Sequence, residues 1–210
     1  MNSLLDRSIY LASRSPRRRE LLGQFGVPFH LLMFRSDAAG EVNEDPQAGE
    51  PPRDYVLRVA REKALTGWTR VVQRRLPRAP VLAADTTVTI DGQIFGKPAD
   101  RADAERMLAA LSGRRHEVLT AVALAYDDRL ESALSASQVV FRDLSAQEIR
   151  DYVATGEPDD KAGAYAIQGR AAMFVAEIHG SHSGIVGLPL FETARLLQTL
   201  GELHDRRNSH

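Results

Sequence analysis

The stretch VLAADTTVTIDGQIFGKPAD, residues 81–100, carries the reading of the fold. Four apolar residues, Val81 to Ala84, run into Asp85, and a β-branched tract continues to Ile90. Such a run predicts a strand over 80–90, set in the interior of a sheet. Asp91-Gly92 is a strong type I′ hairpin signal and predicts a partner strand over 93–97. A turn at 91–92 pairs residues whose numbers sum to 183, which sets Thr86 opposite Lys97 with Asp85 next door. Gly96 is a candidate bulge that would re-aim Lys97. Asp100 then caps a helix over 101–112, closed by Gly113. A carboxylate emerging from a sheet interior is expensive unless a cation or a metal accompanies it. Asp85 therefore reads in two ways that this stretch alone leaves open. It binds a divalent ion or activates a water while Lys97 holds a phosphate, or the two form a structural pair near the hairpin end.

Upstream, a helix over 53–75 places Val56, Val59, Ala60, Ala64, Trp68 and Val71 on one face. Lys63 sits at the edge of that stripe, and Glu62 points to the opposite side. The polar tract 35–52 reads as a loop, and 27–34 as a strand. At the start, YLASRSPRRRELL (10–22) follows a buried strand over 8–12 with Ser13, then Ser15 and Pro16 open a helix over 16–25 that ends at Gly26. Arg14, Arg17, Arg18 and Arg19 crowd that end, where the helix dipole disfavours each cation by up to ~1 kcal/mol. A strand, Ser-Arg-Ser and a helix start make a ready anion site, and only an anion with several charges accounts for so much positive potential. The alternative is a solvated basic face with arginines in water or paired with Glu20.

Downstream, 116–126 alternates as a strand and 130–142 returns beside it through Asp127-Asp128. Ser145 and Glu148 form a capping box for a helix over 146–154, residues 172–179 read as a strand, and Pro189 opens a last helix to about Leu200. Strands and helices interleave, which predicts a mixed α/β sheet. The segment TGEPDDKAGAYAIQG (155–169) holds three acids, one lysine and three glycines. Lys161 can bind phosphate, Asp159 or Asp160 a metal, and the Gln168 amide can read a donor and an acceptor on a base edge. Alone, it reads first as a polar loop with a glycine turn.

Composition narrows the classes. The 210 residues carry a net charge of −1, with no global basic field for nucleic acid. The absence of cysteine excludes disulfides, thiolate catalysis and thiolate-held metals. No apolar run approaches the ~20 residues of a membrane span. Asp6 and Arg7 precede any usable apolar core, which argues against a signal peptide and for a cytoplasmic protein. His179 and His182 lie outside any HExxH frame, and there is no P-loop, GxGxxG or GxSxG. Oxygen ligands without histidine suit Mg²⁺ or Mn²⁺.

Taken together, LASRSPRRRELL (11–22), REKA (61–64), ADTTV (84–88), GKPAD (96–100), TGEPDDKAGAYAIQG (155–169) and GLPLFET (187–193) resemble, in order, the motifs of the Maf family of nucleotide pyrophosphatases. The resemblance implies a two-lobed α/β fold on a long curved mixed sheet flanked by helices, inosine-triphosphatase-like, with a nucleotide cleft between the lobes. It implies one domain over 1–205; the polar end of the chain, 206–210, reads as a frayed tail. It implies hydrolysis of a nucleoside triphosphate to monophosphate and pyrophosphate, a divalent metal, a cytoplasmic setting and a homodimer. SPRR, ADTTV and YAIQG resemble the branch acting on dTTP and UTP, and modified pyrimidine nucleotides extend that range. A nucleotide-binding regulator of cell division with little turnover is the alternative.

By the same resemblance, Arg17, Thr86 and Gln168 correspond to specificity positions and Asp85 to the proton acceptor. Catalysis is expected from Asp85, Lys97 and Lys63, and substrate binding from Ser13, Arg17, Arg18, Thr86, Lys161 and Gln168. Asp85 with Asp160 or Asp37 is expected to hold the metal. One departure stands out. The family carries an acidic pair after its second strand; Asp37 stands for the first acid, Ala38 falls at the second, and Glu41 is a substitute if the loop folds back.

Overall fold

The computed structural model describes residues 8–32 and 42–207, with residues 200–207 given as helix backbone only. The central strand of the sequence reading is β3 (Val81–Ile90), and the chain before it supplies β1 (Ile9–Leu11), α1 (Pro16–Gln24), β2 (Phe29–Leu31) and α2 (Pro52–Gln73). After it come β4 (Gln93–Phe95), α3 (Arg101–Leu111), β5 (Arg115–Tyr126), β6 (Arg129–Phe141), α4 (Ala146–Val153), β7 (Val175–His179), α5 (His182–Val186) and α6 (Leu190–Arg207). The strands form one mixed sheet in the order β2-β1-β3-β5-β6-β7, with β4 hairpinned on β3. β1 runs parallel to both β2 and β3, and the other pairs are antiparallel.

Period-2 alternation along β3 and β5 assigns each residue to one face. Val81, Ala83, Leu119, Ala121 and Ala123 meet α2, whose Val56, Val59, Ala60, Ala64, Trp68 and Val71 are buried as the helical periodicity predicts. Leu82, Ala84, Val122 and Leu124 face the other way, onto Leu22 of α1 and Leu196 and Leu197 of α6. Further along the same face, Val88, Ile90, Val118, Val139 and Phe141 pack on Met107 and Leu108 of α3 and Ile149 and Val153 of α4. Each fully enclosed Val or Leu contributes about 1.5–3 kcal/mol. That face thus carries two separate cores, and these define the two lobes of the sheet. Gly67 brings α2 close: a Cβ there would stand 2.7 Å from Val81 Cγ1. No helix of the described residues is long and apolar enough to cross a membrane.

Local signals place the elements. Asp91 and Gly92 have φ of 52° and 76°, the type I′ turn that the sequence predicts. The Asp100 side chain accepts from the Asp103 N–H, and Ser145 and Glu148 complete the capping box. Ser15 is the N-cap of α1 but makes no side-chain capping bond; its own N–H instead donates to Ser13 Oγ at 3.2 Å. Residues 172–179 divide into a 3₁₀ turn (Arg170–Phe174) followed by β7.

One expectation fails in a useful way. The hairpin follows the predicted register at Ile90↔Gln93, Thr89↔Ile94 and Val88↔Phe95, and then stops. Lys97 therefore does not face Thr86, which pairs with Thr120 on the other side of β3. The reason is a distant tie: the Gly96 carbonyl accepts from the Gly163 N–H at 3.0 Å, which takes the chain off the β3 edge. On that same edge β1 reaches only Val81 and Leu82. Between β1 and β4, residues 83–87 pair with β5 on one side and have no strand partner on this edge among the described residues.

Candidate active site

This gap in the ladder opens into a cleft of about 900 Å³ between the two lobes. Every described residue that the resemblance assigns to the site lines it, whereas Asp159, the alternative to Asp160, does not. Ser13, Arg17 and Arg18 come from the β1–α1 turn, Lys63 from α2, and Asp85 and Thr86 from the open part of β3. Lys97 follows β4, and Asp160, Lys161 and Gln168 lie on the segment before β7. Asp37, with Ala38 and Glu41, falls outside the described residues.

Strand alternation sends Asp85 and Thr86 to opposite faces. Asp85 is buried on the α2 side, where its Oδ1 accepts from Lys63 Nζ at 2.8 Å. The same ammonium lies 2.8 Å from Glu44 Oε1. Glu44 is the acid that sequence reading passed over, one among several in a polar tract. Burial opposes its ionisation, but Lys63, with Lys97 and Arg18 further off, outweighs burial and holds its pKa below the usual carboxylate value. Two carboxylates thus converge on one cation. Asp160, by contrast, is paired with its neighbour Lys161 and mostly exposed. No group of three His, Asp or Glu side chains able to hold a metal forms among the described residues.

Thr86, on the other face, belongs to a relay. The Thr120 hydroxyl donates to the Gly184 carbonyl at 2.7 Å. Its single proton being used there, the 3.0 Å bond between the Thr120 and Thr86 hydroxyls takes its proton from Thr86. Thr86 Oγ1 then accepts from Arg18 Nη2 at 3.2 Å. Arg18 also donates through Nε to the Gly187 carbonyl at 2.8 Å and through Nη1 to Ser13 Oγ at 3.4 Å. Arg18 is therefore a cross-brace that joins β1, β3 and the turn before α6. The Thr86 hydroxyl, expected at a specificity position, is already engaged with Arg18 and Thr120.

Arg17 is different. Its Nε is buried and has no hydrogen-bond partner among the described residues. Desolvation lowers its pKa, with the Glu20 charge opposing. Lys161 is lowered by burial and then by the positive charge of Arg17. Both cations are thus placed where an anion would relieve them. Lys97 and Gln168 are exposed at the opening.

The comparisons agree with the motifs. The chain matches the Maf family profile, described as Maf-like protein, over residues 8–200. The dTTP/UTP pyrophosphatase of Aromatoleum aromaticum is 59% identical over 196 residues, covering 92% of this chain and 95% of that protein. The dTTP/UTP pyrophosphatase of Nitrosomonas europaea is 54% identical over 195 residues, covering 92% and 94%. That of Methylococcus capsulatus is 57% identical over 196 residues, covering 93% and 92%. The solved structure of the Staphylococcus aureus Ham1 protein aligns with 94% of this chain and 100% of its own at 14% identity and a TM-score of 0.45, too slight a likeness to bear on the fold.

Proposed function

This chain belongs to the Maf family, and we propose that it is a nucleoside triphosphate pyrophosphatase that converts dTTP and UTP to the monophosphate and pyrophosphate. The observation that carries this reading is the shared cleft: Asp85, on the open stretch of β3, lines the same cavity as Arg17, Lys97 and Lys161.

A triphosphate brings about four negative charges, and phosphoryl chemistry is largely positioning and charge stabilisation. Arg17 Nε meets the triphosphate oxygens, and Lys97 and Lys161 neutralise the pyrophosphate as it leaves. Arg18 and Ser13 hold the β1–α1 turn in place. Asp85, anchored and oriented by Lys63, accepts the proton of the water that attacks the α-phosphorus. The bond from that phosphorus to the bridging oxygen breaks, and pyrophosphate departs. The Gln168 amide, which makes no hydrogen bond among the described residues, reads the pyrimidine edge at the opening.

The donor set fits a divalent cation. Mg²⁺ is held through one or two carboxylates together with substrate phosphates. Asp85 and Glu44, already converging on one ammonium, are the residues that would hold it, with Asp160 on the same cleft wall as Lys161. Bound there, Mg²⁺ or Mn²⁺ supplies neutralisation of the phosphate oxygens. Glu44 takes the place that the sequence reading sought at Glu41.

The test is a panel of canonical and modified nucleoside triphosphates with Mg²⁺ and with Mn²⁺, scored for pyrophosphate and monophosphate. dTTP and UTP give both products. Asp85→Asn lowers kcat by roughly 10²–10⁴-fold while a non-hydrolysable dTTP analogue still binds. Release of orthophosphate instead, or a near wild-type rate in Asp85→Asn, overturns the reading.

A further inference from the structure

Glu44 reaches the cleft from a polar loop, and α2 holds that loop in an unusual way. Three successive main-chain carbonyls accept from side chains of one helical turn. The Asn43 carbonyl takes Arg58 Nη1 at 3.4 Å, the Glu44 carbonyl takes Tyr55 Oη at 2.8 Å, and the Asp45 carbonyl takes Arg58 Nη2 at 3.1 Å. Arg58 also grips Glu50 with a fork, Nε to Oε1 at 2.7 Å and Nη2 to Oε2 at 2.9 Å. Glu50 in turn accepts the Gln47 N–H at 3.0 Å. In steps of four from Tyr55 through Val59, the same helix presents Lys63 to the cleft and Gly67 to β3. Helix α2 therefore holds both the backbone of Glu44, through Tyr55 and Arg58, and its carboxylate, through Lys63. Arg58 itself does not line the cleft, so any influence it has on the site passes through the loop.

We propose that Arg58 is a positioning residue: by clamping residues 43–50 onto α2, it sets how tightly the Asp85–Glu44 carboxylate pair takes up a divalent cation. This rests on the reading that Glu44 helps hold that cation. Lysine keeps the charge but cannot form the fork to Glu50 while reaching two carbonyls, which makes Arg58→Lys the informative variant.

The experiment measures Mn²⁺ binding to the nucleotide-free protein by calorimetry, beside the Mg²⁺ half-saturation and kcat of dTTP hydrolysis, for wild type, Arg58→Lys, Glu44→Gln and the double variant. Arg58→Lys weakens Mn²⁺ binding and raises the Mg²⁺ half-saturation about tenfold, with kcat at saturating Mg²⁺ unchanged. The double variant binds no more weakly than Glu44→Gln alone, because Arg58 acts through Glu44. Glu50→Gln cuts the same fork from its other end and gives the same result if Arg58→Lys does not fold. Unchanged Mn²⁺ binding in both fork variants, or losses that multiply in the double variant, overturns the role of Arg58. Unchanged binding in Glu44→Gln removes the assignment of Glu44 and this inference with it, while dTTP turnover by the wild type still supports the proposed reaction.

Discussion

Arg17 shows how much a single side chain can reveal. Its Nε is buried without a partner among the described residues, and a buried donor left unmade costs about 1–3 kcal/mol, more when charged. Such a group is retained where a ligand completes it. Arg17→Gln is accordingly expected to raise the KM for dTTP roughly tenfold or more, measured by steady-state pyrophosphate release, with the thermal midpoint unchanged or higher. A midpoint that falls while KM holds would make Arg17 a structural residue. Arg17 and Asp85 stood out in the sequence because each is a charge placed where its own element offers it no reason to be, whereas Lys161, in a polar loop, stood out only through the motif around it. Glu44 did not stand out, since nothing local distinguishes it from the other acids of its loop; Arg58 and Tyr55, contributed by the next helix, make the choice. Thr86 could be picked out in the sequence beside Asp85 but not as part of a relay, because Thr120 and Gly184 come from remote parts of the chain.

At the scale of elements, Gly163 ties two lysine-bearing segments together. Its N–H bonds to Gly96, next to Lys97, and it stands two residues after Lys161. Its φ is 67°, and a Cβ there would lie 2.7 Å from Val88 Cγ2. Gly163→Ala therefore combines about 1–2 kcal/mol of backbone strain with overpacking of about 1–3 kcal/mol. The expected outcome is a lower thermal midpoint together with a raised KM for dTTP; wild-type values for both would show that the contact relaxes freely. The same tie explains what was readable here. Where the hairpin begins is written locally in Asp91-Gly92, and its register follows. Where it ends depends on Gly163, far along the chain, and no pattern within residues 81–100 contains that information. The course of α2 was readable for the opposite reason, since its whole buried face is set by its own periodicity.

For the molecule as a whole, the second lobe holds a titratable group in its core. His116 is buried, bonded through Nε2 to Tyr165 Oη at 2.9 Å, with Phe141 edge-on at 4.9 Å. Desolvation lowers its pKa to about 4. The native ring is thus neutral while the unfolded chain takes up a proton below about pH 6.5. The sign follows from linkage: the stability is fully present above about 6.5 and is lost as the pH falls toward 4, with a ceiling of about 3 kcal/mol. Glu50 and Glu148, lowered to about 2 by their arginine partners, lose their contribution only below the ordinary carboxylate range, so the window between about 6.5 and 4.5 belongs to His116. Thermal midpoints taken across it are expected to fall in the wild type and to stay level in His116→Asn. A wild-type curve with no slope there would place a charged imidazole in the core.

The long strands β3, β5 and β6 pass unbroken from one lobe to the other. Their shared ladder is a stiff spine, and swinging one jaw away from the other would sacrifice rungs worth about 1 kcal/mol each. The molecule therefore receives its ligand as a mould does rather than as a clamp. Selection of the proposed nucleotide would then rest on what the fixed shape admits, with Lys97 and Gln168 exposed at the rim.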